Sequence, residues 1–79
     1  MINVKVLGGG CAKCQATYKL FNRIIAEKGM AAMLEKVEDI QEIMAHDVMS
    51  TPGVVINGIV VHQGSVPSSE LVESWLVEP

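Results

Sequence analysis

Seventy-nine residues leave room for one small domain, and a chain this short needs a staple or a dense apolar core to hold any fold. Apolar residues make up 49% of the chain with a single Trp, a single Tyr and a single Phe among them, so the core has to be aliphatic. A formal charge of −3 without any run of Lys or Arg speaks against nucleic acid or an anionic membrane as the main partner.

No basic stretch followed by an apolar one opens the chain, and no apolar run is long enough to span a bilayer; a cytoplasmic protein is expected. Ile2, Val4, Val6 and Leu7 form an apolar run interrupted by Asn3 and Lys5, which predicts a strand with at least one buried face. Gly8, Gly9 and Gly10 end it, and three glycines let the backbone turn sharply and pass close to a substrate. From Ala12 to Lys28 apolar residues recur at helical spacing as Ala16, Leu20 and Ile24, with Phe21 and Ile25 beside them. Gly29 is a natural stop for that helix, and Lys28 suits its negative end.

Met30 to Val37 reads as a second strand with Leu34 and Val37 buried. Asp39 is placed to cap a short second helix, with Glu42 reaching back to complete a capping box and Ile40, Ile43 and Met44 on one side. Val48 to Gly53 is a loop, because Pro52 keeps Thr51 out of the helical region and removes a donor. Val54-Val55-Ile56 and Ile59-Val60-Val61 are β-branched runs joined by Asn57-Gly58, the strongest short signal for a type I′ hairpin. Gly64 to Pro67 turns again, and Ser68 caps a last helix whose Leu71, Val72, Trp75 and Leu76 share a face that can dock on the sheet. The two early strands flank a crossover helix and should be parallel, with a right-handed connection. The hairpin then adds antiparallel strands. The expected fold is α/β: a mixed four-stranded sheet with helices on both faces, in the order βαβαββα.

The chemistry concentrates at Cys11-Ala12-Lys13-Cys14, where the first helix begins. A helix start offers unpaired N–H groups and the positive end of the peptide dipoles, so it favours a thiolate and lowers a cysteine pKa below its free value of about 8.5. A thiolate attacks a disulfide, and a second thiol within reach resolves the mixed disulfide. That makes Cys11 the nucleophile and Cys14 the resolver. The charge of Lys13 either assists Cys11 or is simply solvated.

A strand followed by Cys11-Ala12-Lys13-Cys14 at a helix start, and later Thr51-Pro52 before a hairpin and a closing helix, resembles the thioredoxin/glutaredoxin superfamily. The order of the motifs and the chain length are similar to its minimal group of small redox-active disulfide proteins. The resemblance covers essentially the whole chain and implies one thioredoxin-like domain over residues 1–79. It also implies a thiol–disulfide oxidoreductase with the first cysteine exposed and the second more buried. A cis bond at Thr51-Pro52 is implied too, packed on the disulfide, with Thr51 and Pro52 as the substrate-docking turn. Departures are visible as well. Gly10 stands where thioredoxins have Trp, and Ala12-Lys13 where they have Gly-Pro; glutaredoxins usually have Pro after the first cysteine. Gly64-Ser65-Val66-Pro67 occupies the region where glutaredoxins carry a Gly-Gly glutathione-binding segment. No Asp lies in Ile2 to Leu7 to match the buried thioredoxin one, which leaves proton transfer to water or to Cys11 itself.

The chain therefore reads as a monomeric oxidoreductase that exchanges a Cys11–Cys14 dithiol with protein or small-molecule disulfides. It needs no cofactor beyond that disulfide, and a flavin-dependent reductase or a small thiol renews it. Val48, Met49 and the Gly8–Gly10 loop should form an apolar apron for the substrate chain. The alternative is a carrier holding a soft ion, Cu(I) or Zn(II), on the same two sulfurs. A zinc site normally wants four protein ligands, and only His46 and His62 stand available, without paired metal spacing. A copper chaperone of ferredoxin-like fold also places a cysteine pair after its first strand, but does not call for Ser50-Thr51-Pro52 before the hairpin. A third reading is an interaction module with a vestigial dithiol. Met33, Met44 and Met49 read as core or rim filler, Met49 alternatively as a border of the substrate groove, and Trp75 as a helix anchor.

Overall fold

A computed structural model describes residues 2–76, so both ends of the domain expected over 1–79 lie outside the described residues. Seven elements follow in the expected order: β1 (Ile2–Leu7), α1 (Ala12–Lys28), β2 (Ala32–Val37), α2 (Ile40–Ala45), β3 (Gly53–Ile56), β4 (Ile59–Gln63) and α3 (Ser69–Trp75). The sheet runs β2-β1-β3-β4. β1 pairs parallel with β2 from Ile2↔Ala32 to Leu7↔Val37, and antiparallel with β3 from Val4↔Ile56 to Leu7↔Gly53. β3 and β4 form the antiparallel hairpin, with a register shift between Val54 and Val55.

Alternation along β1 explains how so short a chain buries two faces. Ile2, Val4, Val6 and Val54 meet Phe21 and Ile24 of α1 and Val72 and Leu76 of the α3 end. On the opposite face Leu7, Val37, Val48 and Val55 form a smaller cluster, joined by Ile43 and Val60. Each fully buried side chain of this kind contributes about 1.5–3 kcal/mol, which is how an almost purely aliphatic core holds the domain. Trp75 anchors α3 as expected, stacking on Phe21 with ring centroids 6.2 Å apart.

The caps follow the sequence closely. Gly29 ends α1 in the left-handed region, and the N–H groups of Gly29 and Met30 donate back to Ala26 and Ile25. Met30 is thus spent on closing the helix, and β2 starts at Ala32 rather than Met30. Asp39 accepts from Gln41 N–H at 3.0 Å, whereas the return bond expected from Glu42 is not formed among the described residues. Ser68 accepts from Leu71 N–H at 3.1 Å. Asn57 and Gly58 take φ of 49° and 85°, the type I′ signature.

Three expectations about side-chain direction are corrected. Only Ile43 of the α2 apolar side reaches the core, while Ile40 (70% exposed) and Met44 face outward. A six-residue helix is about 9 Å long, too short to lay a full stripe on the sheet. Leu71 is likewise exposed, and α3 docks through Val72, Trp75 and Leu76 instead. In β2, Val37 is buried but Leu34 is half-buried, and the two belong to opposite faces.

Candidate active site

Strand register brings the two distant motifs together. Because Leu7 pairs with Gly53, the residues after Leu7 run beside those before Gly53. Gly8 extends the β1 ladder by one bond, its N–H donating to Val37 O at 2.8 Å. A methyl group on Gly8 would lie 2.6 Å from Cys14 Sγ and 2.9 Å from Thr51 Cβ, so sulfur and threonine close over a bare Cα. The φ of Gly8, +131°, would also strain any residue with a side chain. Pro52, after a cis Thr51–Pro52 bond, is buried, and Thr51 is exposed.

Cys11 is the N-cap of α1, with extended backbone (φ −80°, ψ 152°), and its Sγ accepts from Cys14 N–H at 3.1 Å. The sulfur takes the place that a Ser or Asp oxygen takes at other helix starts. The two cysteines form a disulfide with their Cα atoms 5.1 Å apart. Cys11 remains half-exposed and Cys14 is 2% exposed, the asymmetry that the resemblance implied. Thr17, one turn on and fully buried, donates to Lys13 O at 2.8 Å, which satisfies its hydroxyl inside the core. Lys13 itself is exposed.

The glycine loop is more filled by its own chain than its sequence suggests. Gly8 is covered by Cys14 and Thr51, and a methyl on Gly9 would meet the Glu38 side chain at 2.9 Å. Only Gly10, at φ +73°, has open space beside it. The expected apron is corrected too: Val48 turns inward against Gly53 and the second core cluster, leaving Met49, 93% exposed, as its apolar outward residue. Two residues that sequence reasoning passed over belong to the surroundings. Glu38 lies over Gly9, and Gln63 accepts from Met49 N–H at 3.0 Å. A polar residue at a strand end carries no local signal for either role, because both depend on which loops the sheet brings alongside.

The histidines lie elsewhere. His46 caps the end of α2, its Nδ1 donating to Glu42 O at 2.9 Å, while His62 sits 3.0 Å from Ser65 Oγ and against the Trp75 ring. Among the described residues no three His, Cys, Asp or Glu side chains gather where they could hold a metal ion. Nor is any helix of the described residues long and apolar enough to cross a membrane.

Comparison with known proteins agrees with this geometry. A family model described as "Thioredoxin domain" matches residues 2–77. The chain is 37% identical over 76 residues to a thioredoxin of Methanocaldococcus jannaschii, covering 96% of this chain and 87% of that one. It is 29% identical over 76 residues to a thioredoxin of Methanothermobacter thermautotrophicus, covering 96% and 99% respectively. Nothing in the fold or in these relatives supports the soft-metal carrier. The chain belongs to the thioredoxin-domain family and is a thiol–disulfide oxidoreductase.

Proposed function

We propose that catalysis is divided between the two sulfurs, with Cys11 as nucleophile and Cys14 as resolver. In the reduced protein, the Cys11 thiolate attacks one sulfur of a partner disulfide; a Cys11–partner bond forms and the partner's other sulfur leaves as thiolate and takes a proton. Cys14 loses its proton and attacks Cys11, releasing the second partner thiol. The two electrons have then passed to the partner, and Cys11–Cys14 is oxidised. The observation that carries this reading is the asymmetry of the pair: Cys11 is half-exposed on a helix N-terminus with an N–H on its sulfur, and Cys14 is buried, its sulfur against Gly8.

Thr51 and Pro52 form the docking turn for the substrate chain, next to Cys14. The reaction requires a disulfide-bearing substrate and a reductant, either a flavin-dependent reductase or a small thiol. The protein works as a monomer in the cytoplasm through one thioredoxin-like domain, with neither nucleic acid nor membrane as partner and no cofactor besides its disulfide. No Asp lies in Ile2 to Leu7, and water or Cys11 itself carries the proton.

Reduction of insulin disulfides with dithiothreitol as electron source tests the division. Wild-type protein accelerates the reaction, Cys11→Ser loses at least about 100-fold of that acceleration, and Cys14→Ser loses less, since dithiothreitol can resolve the mixed disulfide that Cys11 still forms. Full activity in Cys11→Ser would overturn the assignment.

A further inference from the structure

The segment Val48 to Thr51 joins α2 to the docking turn and carries the exposed Met49, yet it lies outside every helix and strand. Among the described residues it makes no backbone–backbone hydrogen bond. What holds it comes from the far end of β4. Gln63 pairs with Gly53, the first residue of β3. Gly53 offers no side chain on that face, and Val48 fills the space, its methyls 3.0 and 3.1 Å from where a Cβ would stand. With Val48 seated there, Met49 N–H meets Gln63 Oε1 at 3.0 Å. One residue further on, Gly64 N–H donates to Pro52 O at 2.9 Å, and a methyl on Gly64 would sit 3.4 Å from Ser50 Cβ.

We propose that Gln63 is a positioning residue for substrate docking: its side-chain amide clasps the Met49 backbone and so sets where Thr51 and Met49 stand relative to the sulfurs. Gln63 acts through the loop it holds. The inference rests on the docking role proposed for Thr51 and Pro52. Its consequence is selective. A protein disulfide must lie along the loop to present its bond to Cys11, whereas a small aromatic disulfide needs little beyond access to the sulfur.

Gln63 is exposed, so its replacement leaves the core intact. The test compares wild type, Gln63→Ala and Gln63→Glu, which keeps an acceptor oxygen. Each is assayed for KM and kcat with insulin, for the second-order rate with 5,5′-dithiobis(2-nitrobenzoate), and for the equilibrium reduction potential in a glutathione buffer. Losing one hydrogen bond of ordinary strength corresponds to about a three- to tenfold change. Gln63→Ala is therefore expected to raise KM for insulin by about that factor with a smaller change in kcat. The loss with the small disulfide is at most a third as large, the potential is unmoved, and Gln63→Glu recovers most of the KM. An unchanged KM in Gln63→Ala, equal losses with both substrates, or no recovery in Gln63→Glu overturns it. A wild-type protein that fails to reduce insulin at all would instead sink the underlying reading of the site.

Discussion

At Gly8 the whole site depends on an absent side chain. Cys14 Sγ and Thr51 Cβ both come within 3 Å of where its Cβ would be. Alanine there must push back either the buried sulfur or the Thr51 side chain while adopting a φ of +131°. Gly8→Ala is expected to cost roughly 2–4 kcal/mol and to depress insulin reduction in the molecules that still fold. Gly10→Ala is the control: its φ of +73° carries a cost of about 1–2 kcal/mol, but nothing lies within 4 Å to collide with. Urea denaturation of both variants checks the difference, and equal midpoints would contradict it. At this scale the cysteines were legible, since a two-residue gap at a helix start announces itself. The role of Gly8 was not. Three glycines in a row suggest room for a substrate, and only the Leu7↔Gly53 register shows that the first is filled by Cys14 and Thr51.

The elements were readable wherever a local rule decides them. Asn57-Gly58, Gly29, Asp39 and Ser68 each act through φ or a single hydrogen bond to a near neighbour, and each turned up in place. Side-chain direction was less readable. The apolar pattern of α2 predicts one packed side, but the helix is short enough that only Ile43 of the three touches the core. The hairpin turn also has a longer reach than its dipeptide signal reveals. Asn57 N–H donates to Asn3 O at 2.8 Å, and its Oδ1 accepts from Asn3 N–H at 2.8 Å, tying the turn to the start of β1. Asn57→Ala removes that side-chain bond and places a residue less tolerant of positive φ at 49°. A loss of about 1–2 kcal/mol is expected, with insulin reduction per folded molecule unchanged because the turn is at the opposite end of β3 from Pro52. A midpoint in urea equal to that of wild type would contradict the first part, and a drop in specific activity the second.

Across the whole molecule, function comes from topology. β1 leads into the cysteines, β3 starts just after the proline, and their antiparallel pairing sets those ends side by side. Nothing in the chain between Lys28 and Ser50 encodes that meeting; the sequence supported it only through its resemblance to a family in which the same two motifs converge. The order βαβαββα, by contrast, follows from apolar periodicity and local turn and cap residues. Helices on opposite faces, α1 and α3 on one and α2 on the other, bury both sides of β1 and hold its end steady beneath the sulfurs.

The division of labour between the sulfurs is tested most directly by trapping its intermediate. Cys14→Ser protein is mixed with a disulfide-containing substrate, quenched with acid and mapped by mass spectrometry, with Cys11→Ser treated in parallel. A substrate cysteine joined to Cys11 in the first sample, and no adduct in the second, is the predicted result. Adducts on Cys14 in the Cys11→Ser protein, at a yield matching the first sample, would contradict it.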